Sequence, residues 1–453
     1  MKTRIVLAAL LTLTGGASAA EAPPPSTLTL AEAIGRAVDH NPALRRVAAG
    51  VRGAHGRADE ARSMLLPRLD ASAGGVYTNH PVQAFGLGLL QDDLSPDDLS
   101  PDALTRPDAR GDLTARLDLQ ANLVDVATWY AVAAARHGAE AADSERTAAE
   151  ARLVAQVVGA YHGAQLAAAR AQVAAEAVSW ARADVERARA QMQGGAATEA
   201  DVFGLSAALA ALEEEALVST GDAEVSGAEL DRLLGGTGEF HLLTTPLDAP
   251  PPALGAQDDQ ARPVPNAHPE MAAAQAAVDA AEAVHTRTAL SWLPTLGVQG
   301  SLEGHRASLG RDGGNAWFAG VFLRMNLFAG LGDAARSEIA AAALDRAVAA
   351  RDETRAELAL AQRRARLAVA QADGRVRVAT EAVRFARESH RLVRARFENG
   401  MAQAADVLRS RSAQLDAETH RLSALYARHL AAAQRAAAEG ALNRNWNNGR
   451  TQP

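Results

Sequence analysis

The sequence predicts a mainly helical chain with a minority of β-strands, in which one plan is laid down twice. Three observations carry this: residues recur at constant offsets, two long stretches lack proline, and short segments between them alternate with a period of two. The repeat is weighed first, because a duplication fixes the architecture before any single motif does.

Asn41-Pro42 matches His268-Pro269, and 25 residues later in each copy Leu66-Pro67 matches Leu293-Pro294. At a second offset, 205, Glu176-Ala177-Val178-Ser179-Trp180-Ala181-Arg182 matches Glu381-Ala382-Val383-Arg384-Phe385-Ala386-Arg387. The same offset pairs Gly195 with Gly400 and Asp201-Val202 with Asp406-Val407. Each half then reads as a helix of roughly 23 residues, a proline, two strands, a very long helix, a glycine-bearing break and a helix of roughly 37 residues. The expected divisions are a signal peptide over 1–19, a first repeat over 20–234, an irregular proline-rich spacer over 235–267, a second repeat over 268–440 and a polar tail over 441–453.

The signal peptide is read from Lys2 and Arg4, the apolar run over 5–13 and the small-residue sequence Ala17-Ser18-Ala19, with cleavage after Ala19 or Ala20. The remainder is therefore expected outside the cytoplasm. The 453 residues contain no cysteine, which excludes disulfides, thiolate metal sites, a cysteine nucleophile and a lipidated N-terminal cysteine. The net charge of −8 is interspersed and offers no basic stripe for nucleic acid. No histidine pair has helical metal spacing and no glycine-rich phosphate loop follows a strand, so neither an enzyme, a metal site nor a bound cofactor is expected.

After each helix-ending proline the period becomes two. Leu113, Ala115, Leu117, Leu119, Ala121 and Leu123 fall on one face, with Thr114, Arg116, Asp118, Gln120 and Asn122 on the other. In the second half Trp317, Ala319, Val321, Leu323, Met325 and Leu327 oppose Phe318, Gly320, Phe322, Arg324, Asn326 and Phe328. Weaker partners precede each, around Leu69 to Tyr77 and Leu296 to Leu302, giving four strands per chain. Such alternation fits a membrane-spanning strand, and equally a half-buried strand of a soluble sandwich. On the membrane reading Leu117, Leu119, Val321 and Leu323 face lipid. Four strands cannot close a barrel, whose smallest membrane form has about eight, so that reading demands several copies. The segment 91–112, rich in Asp, Pro and Ser, reads as a long external loop.

No proline occurs between Pro107 and Pro246 or between Pro294 and Pro453. A helix running over 125–193 would span on the order of 100 Å at about 1.5 Å per residue. Near its equivalent's end Val376, Ala379, Val383, Ala386, His390, Val393 and Phe397 recur at spacings of three and four, a coiled-coil seam in which His390 stands where the first copy has Val185. His390 is expected as a partly buried seam residue, and Arg384, Arg387, Arg391 and Arg394 as a solvated stripe. The two shorter helices of each half, stacked end to end, match the long one in length.

Each long helix ends in a similar break, at 193–202 and 398–407. Local chemistry alone allows an ordinary glycine-ended turn there. Together, the F-x-x-G-x-x-x-x-x-D-V pattern from Phe397 to Val407, its echo from Met192, the sequence Leu28-Thr29-Leu30-Ala31-Glu32-Ala33 followed by Asn41-Pro42, and the Leu-Pro before the strands resemble TolC-like outer-membrane factors. The resemblance covers essentially the whole mature chain. It implies a homotrimer in which long antiparallel coiled-coil helices form a periplasmic α-barrel beneath a 12-stranded β-barrel in the outer membrane. It implies the exit duct of a tripartite efflux or type I secretion system, passing small molecules or proteins, with a periplasmic adaptor as direct partner and an inner-membrane transporter as indirect one. Gly195, Ala196, Thr198, Gly400, Met401 and Ala402 then fall where the tip meets the adaptor, and Asp406 and Asp201 at an acidic ring that gates the pore. The chain departs from the family pattern in having Ala402 where a basic residue is usual and Arg409 where a second acid is usual. The competing reading is a soluble periplasmic coiled-coil adaptor or scaffold.

Overall fold

The computed structural model describes residues 26–195, 197–236, 238, 241–251, 267–399 and 401–443. The expected signal peptide therefore lies outside the described residues, as do most of the expected polar tail and residues 252–266 of the spacer.

The chain opens with β1 (Ser26–Leu28), α1 (Leu30–His40) and α2 (Pro42–Ser63). Thr29 and Glu32 form a reciprocal capping box that starts α1. Asn41 starts α2, its Oδ1 accepting from the backbone N–H of Ala43 at 2.9 Å, with Pro42 at the first helical position, where its missing N–H costs nothing. The segment before Asn41 is thus a strand and a helix of its own.

Next come β2 (Arg68–Thr78), α3 (Pro81–Leu90), a 3-10 turn at Pro96–Leu99, α4 (Pro101–Thr105) and β3 (Arg110–Val124). The external loop expected over 91–112 is partly helical, and α3 ahead of it was not anticipated. The first repeat closes with α5 (Val126–Gln193, 68 residues) and α6 (Glu199–Leu234, 36 residues). The spacer is not wholly irregular, because β4 (His241–Leu243) pairs in parallel with β1. The second repeat contains α7 (Pro269–Ala289), β5 (Thr295–Arg306), β6 (Gly314–Arg324), α8 (Gly332–Glu398, 67 residues) and α9 (Ala404–Ala438, 35 residues). β6 stops at Arg324, so Met325 and Leu327 fall past its end.

The duplication is visible in three dimensions. His268 caps α7 as Asn41 caps α2. Asn41 Nδ2 donates to the carbonyl of Leu233 near the end of α6 (2.9 Å), and His268 Nε2 lies 3.2 Å from the carbonyl of Ala437 near the end of α9. Arg182 bridges α5 to α6 through Glu213 at 2.8 Å, and Arg387 bridges α8 to α9 through Glu418, also at 2.8 Å. Both members of the second bridge lie 205 positions beyond those of the first.

Each long helix packs against two shorter ones, α5 against α2 and α6, α8 against α7 and α9; α5 also contacts α7 and α9, joining the halves. Near the break the helices form a row, α6 beside α5, α5 beside α9, α9 beside α8. Val383 and His390 are buried in the expected seam.

The main core lies at mid-height. Leu28, Leu30, Ile34, Val154, Val157, Val158, Leu233 and Ala433 bury one another there. The fully buried Tyr161 donates to the Leu28 carbonyl at 2.8 Å and accepts from the Thr245 N–H at 3.0 Å, tying α5 to both β1 and the spacer. Beside it the rings of His162 and His429 stack with centroids 3.7 Å apart. His162 lies by Gln165 Oε1 (2.9 Å) and His429 by the Leu247 carbonyl (3.0 Å), while His162 Nε2 and His429 Nδ1 are buried without a hydrogen-bond partner among the described residues. Burial, then the neighbouring His429, pushes the His162 imidazole down to about 3.

Candidate functional site at the sheet and the helical tip

Strands β2, β3, β5 and β6 form one antiparallel sheet in the order β2-β3-β5-β6. Its register decides what shares a face, since directly opposed residues point the same way. Leu117 lies opposite Ala71 and Leu302, and Leu302 opposite Trp317; Leu119 lies opposite Leu69 and Gly300, and Gly300 opposite Ala319. Ala121 aligns with Val298 and Val321, and Leu296 with Leu323. Leu117, Leu119, Val321 and Leu323 therefore lie on a single apolar face that runs across all four strands. They are 39%, 42%, 67% and 72% exposed in the single chain, a contiguous apolar surface of the kind that marks a protein or membrane contact.

The opposite face is polar on β2, β3 and β5, while β6 brings Phe318 and Phe322 to it. Arg116 pairs with Asp118 at 2.9 Å on its own strand and with Glu303 at 2.8 Å across to β5. Asp112 and His305 are buried together, Nδ1 to Oδ2 being 2.8 Å, and Gln91 Nε2 donates to Asp112 at 2.9 Å. Gln91 caps the end of α3, so the loop is held on the polar face by that amide. Gly314 makes the approach possible, since a Cβ there would come 2.0 Å from the Leu90 carbonyl. The sequence reading missed the Asp112–His305 pair; the charged pair on adjacent strands was detectable only once the register was known.

At the far end of the helices the two breaks converge. Gly195 closes α5 with φ +76°, the left-handed region in which a side chain is strained, and its N–H donates to the Met192 carbonyl at 3.0 Å. In the second copy the N–H of Met401 donates to the Arg396 carbonyl at 2.8 Å. Val185, Ala188, Val202, Leu205 and Ala404 form a small core there, with the partly buried Phe397 of the F-x-x-G break and Leu408 packed against it. Gly195, Thr198 and Met401 are exposed, Met401 at 71%, and Ala402 is half-buried. Ala196 and Gly400 lie outside the described residues.

The two aspartates occupy equivalent capping positions. Asp201 Oδ2 accepts from the Thr198 hydroxyl (2.6 Å) and backbone N–H (3.0 Å), and the hydroxyl and then the N–H hold its carboxyl below the usual carboxylate range. Asp406 Oδ2 accepts from the Gln403 N–H at 3.3 Å, and its Oδ1 is paired with Arg409 at 3.3 Å. Both carboxylates therefore start a return helix in addition to any other role, and Arg409, where the family pattern puts an acid, offsets the charge of Asp406.

A polar layer joins the hairpins just above. Arg411 of α9 stacks on Trp180 of α5, 4.3 Å from the ring centroid. His390 of α8 lies 2.9 Å from the Ser410 hydroxyl of α9, and its buried Nε2 has no partner among the described residues. Burial, then Arg411, depresses its imidazole, while Asp184 pulls the other way. The expected arginine stripe is solvated, each member ion-paired: Arg384 with Glu381, Arg387 with Glu418, Arg391 with Glu388 and Arg394 with Glu398. Among the described residues no group of three or more metal-ligating side chains is assembled.

A family model described as outer membrane efflux protein matches residues 33–236 and 265–441. Among solved structures, a membrane protein from Pseudomonas aeruginosa superposes with a TM-score of 0.77 at 20% identity, over 90% of this chain and 93% of that one. The outer membrane protein VceC from Vibrio cholerae gives 0.74 at 19% identity over 91% and 96%. The outer membrane channel MtrE from Neisseria gonorrhoeae, in its open state, gives 0.74 at 19% identity over 94% and 91%. No curated protein matches the chain by sequence.

Proposed function

Because this chain belongs to the outer membrane efflux protein family, we propose that three copies of it close one β-barrel in the outer membrane and continue it as a helical duct through the periplasm. The observation that carries this is the single apolar face across β2, β3, β5 and β6, backed on β2, β3 and β5 by a polar one. Strands of 11 to 15 residues at about 3.3 Å each, tilted by about 40°, cover an apolar band of roughly 25 Å. The sheet leaves β2 and β6 as unpaired edges, a hazard that closure removes. Three sheets of four strands supply twelve, enough for a water-filled lumen lined by Arg116, Asp118 and Glu303.

Helices of on the order of 100 Å extend this lumen away from the membrane. On this reading the duct is passive, and an inner-membrane transporter, reached through a periplasmic adaptor, supplies the energy for transport. The adaptor meets the tip at Gly195, Ala196, Thr198, Gly400, Met401 and Ala402; the exposure of Gly195, Thr198 and Met401 supports that reading. The cargo is small molecules or proteins. The family match offers no support to a soluble adaptor.

Asp406 and Asp201 would meet their symmetry mates near the axis, where converging carboxylates repel one another and bind cations. Asp406→Asn separates this from capping, because the amide oxygen still accepts the Gln403 N–H. Single-channel recording in planar bilayers is expected to show cation block in the parent protein and its weakening in Asp406→Asn. Unchanged block would remove Asp406 from the gate, and failure of the purified protein to form channels at all would overturn the duct.

A further inference from the structure

The apolar face of the sheet breaks its own pattern at one end. The strands meet their helices at Arg68, Val124, Thr295 and Arg324, so the other end, at Thr78, Arg110, Arg306 and Gly314, is the one that reaches the outer surface in the duct. There Arg306 lies opposite Leu113, and Leu113 opposite Gly75, which puts this arginine on the lipid side of the sheet. It is exposed, and among the described residues it has no ion-pair partner, whereas Arg110 is held by Asp98 and Arg116 by Glu303. A charge on a lipid-facing strand is tolerated close to the interface, where a long side chain reaches polar surroundings.

Beside Arg306 the sheet is hollow. The register aligns Ala73, Ala115, Gly304 and Asn315 in one row across the four strands, between a row that holds Leu113 and Arg306 and a row that holds Leu117, Leu302 and Trp317. Side chains of a single carbon or none at Ala73, Ala115 and Gly304 leave a depression of about 1040 Å³, closed at its outer end by Arg306, Asn315 and Ser308. That volume is at the upper end of the roughly 300–1,000 Å³ usual for ligand pockets. An apolar floor, with a cation and hydrogen-bond donors at the outer end, matches an amphiphile that stands in a bilayer with its anionic head outward.

We propose that this hollow binds one phosphorylated, acylated glycolipid of the outer leaflet on each copy. The Arg306 guanidinium, with the Asn315 amide and the Ser308 hydroxyl, holds a phosphate, and an acyl chain fills the space over Ala73, Ala115 and Gly304. The inference rests on the duct reading, which turns this face towards lipid. Guanidinium matches phosphate through two parallel N–H···O bonds, a geometry that also gives selectivity. A zwitterionic phospholipid brings an ammonium group that offsets its own phosphate. A sugar phosphate monoester carries no such internal cation, so it gains more from the unpaired arginine.

The test is a titration of the purified protein in mild detergent, read by native mass spectrometry, with an acylated glucosamine disaccharide bearing two phosphates and, separately, with phosphatidylethanolamine. The glycolipid is expected to bind one per copy, about tenfold more tightly than the phospholipid. Arg306→Gln should weaken it by about tenfold, and so should Ala115→Leu, which fills the hollow and keeps the charge. Arg324→Gln, on the opposite face of the sheet, should leave binding unchanged. Weakening in Arg306→Gln alone would mean attraction by charge without a pocket and would overturn the site, as would equal binding of the two lipids. Trimers that conduct in planar bilayers but retain no glycolipid would remove the site and leave the duct standing. A chain that neither trimerises nor conducts would remove both.

Discussion

Buried histidines mark the sites where this chain is sensitive to acid. The folded His162 holds its proton only below about 3, whereas an unfolded histidine titrates near 6.5. In that window the unfolded chain binds more protons, so stability is full above about 6.5 and is lost as pH falls towards 3, by up to about 1.4 kcal/mol per unit for each such group. Burial depresses His390 in the same direction. His390→Val, which copies Val185 of the first repeat, removes a buried nitrogen with no partner among the described residues and leaves the Ser410 hydroxyl donating to the Val407 carbonyl at 2.9 Å. Thermal unfolding at pH 7, 5.5 and 4.5 is expected to show a smaller acid loss in His390→Val than in the parent protein, and an equal loss would exclude His390 as a contributor. The seam position of His390 was legible from its spacing. The His162–His429 stack was not, because its members are 267 residues apart in sequence and neither lies in a motif.

Elements were most legible where one physical rule governed a long stretch. The two proline-free spans hold helices of 68 and 67 residues that end at the two breaks. Shorter elements escaped for identifiable reasons. α3 contains two glycines and almost no polar residues, so Pro81-Val82-Gln83-Ala84-Phe85-Gly86-Leu87-Gly88 shows no amphipathic period. β6 ends four residues before Phe328, because Asn326 and the glycines after it favour a turn over continued alternation. At the breaks, Gly195 and the aspartates were found from spacing, but their capping bonds were visible only in three dimensions. The packing of α3 leads to a direct prediction. Gly314→Ala places a methyl against the Leu90 carbonyl and must push the loop off the sheet. Limited proteolysis should then cut within residues 81–105 much faster than in the parent protein; an unchanged digestion pattern would mean the loop does not lie on β6.

For the whole molecule, the two faces of the sheet make the membrane assignment testable with one substitution on each. Val321→Arg puts a charge on the apolar face and is expected to cost roughly 2–4 kcal/mol in a bilayer, cutting the yield in the outer-membrane fraction. Gln299→Arg, on the polar face, should assemble almost normally. Equal yields would indicate that neither face meets lipid. The pairing of β1 with β4 has a consequence of another kind, in the order of folding. Ser26 lies beside His241, a separation of 215 residues (241 − 26), and Tyr161 joins the same knot through Leu28 and Thr245. Closing a loop of that length carries an entropic cost that must be met before the contacts inside it contribute. The first strand to emerge is thus among the last to settle, and the waist can form only after the complete first repeat is available to it.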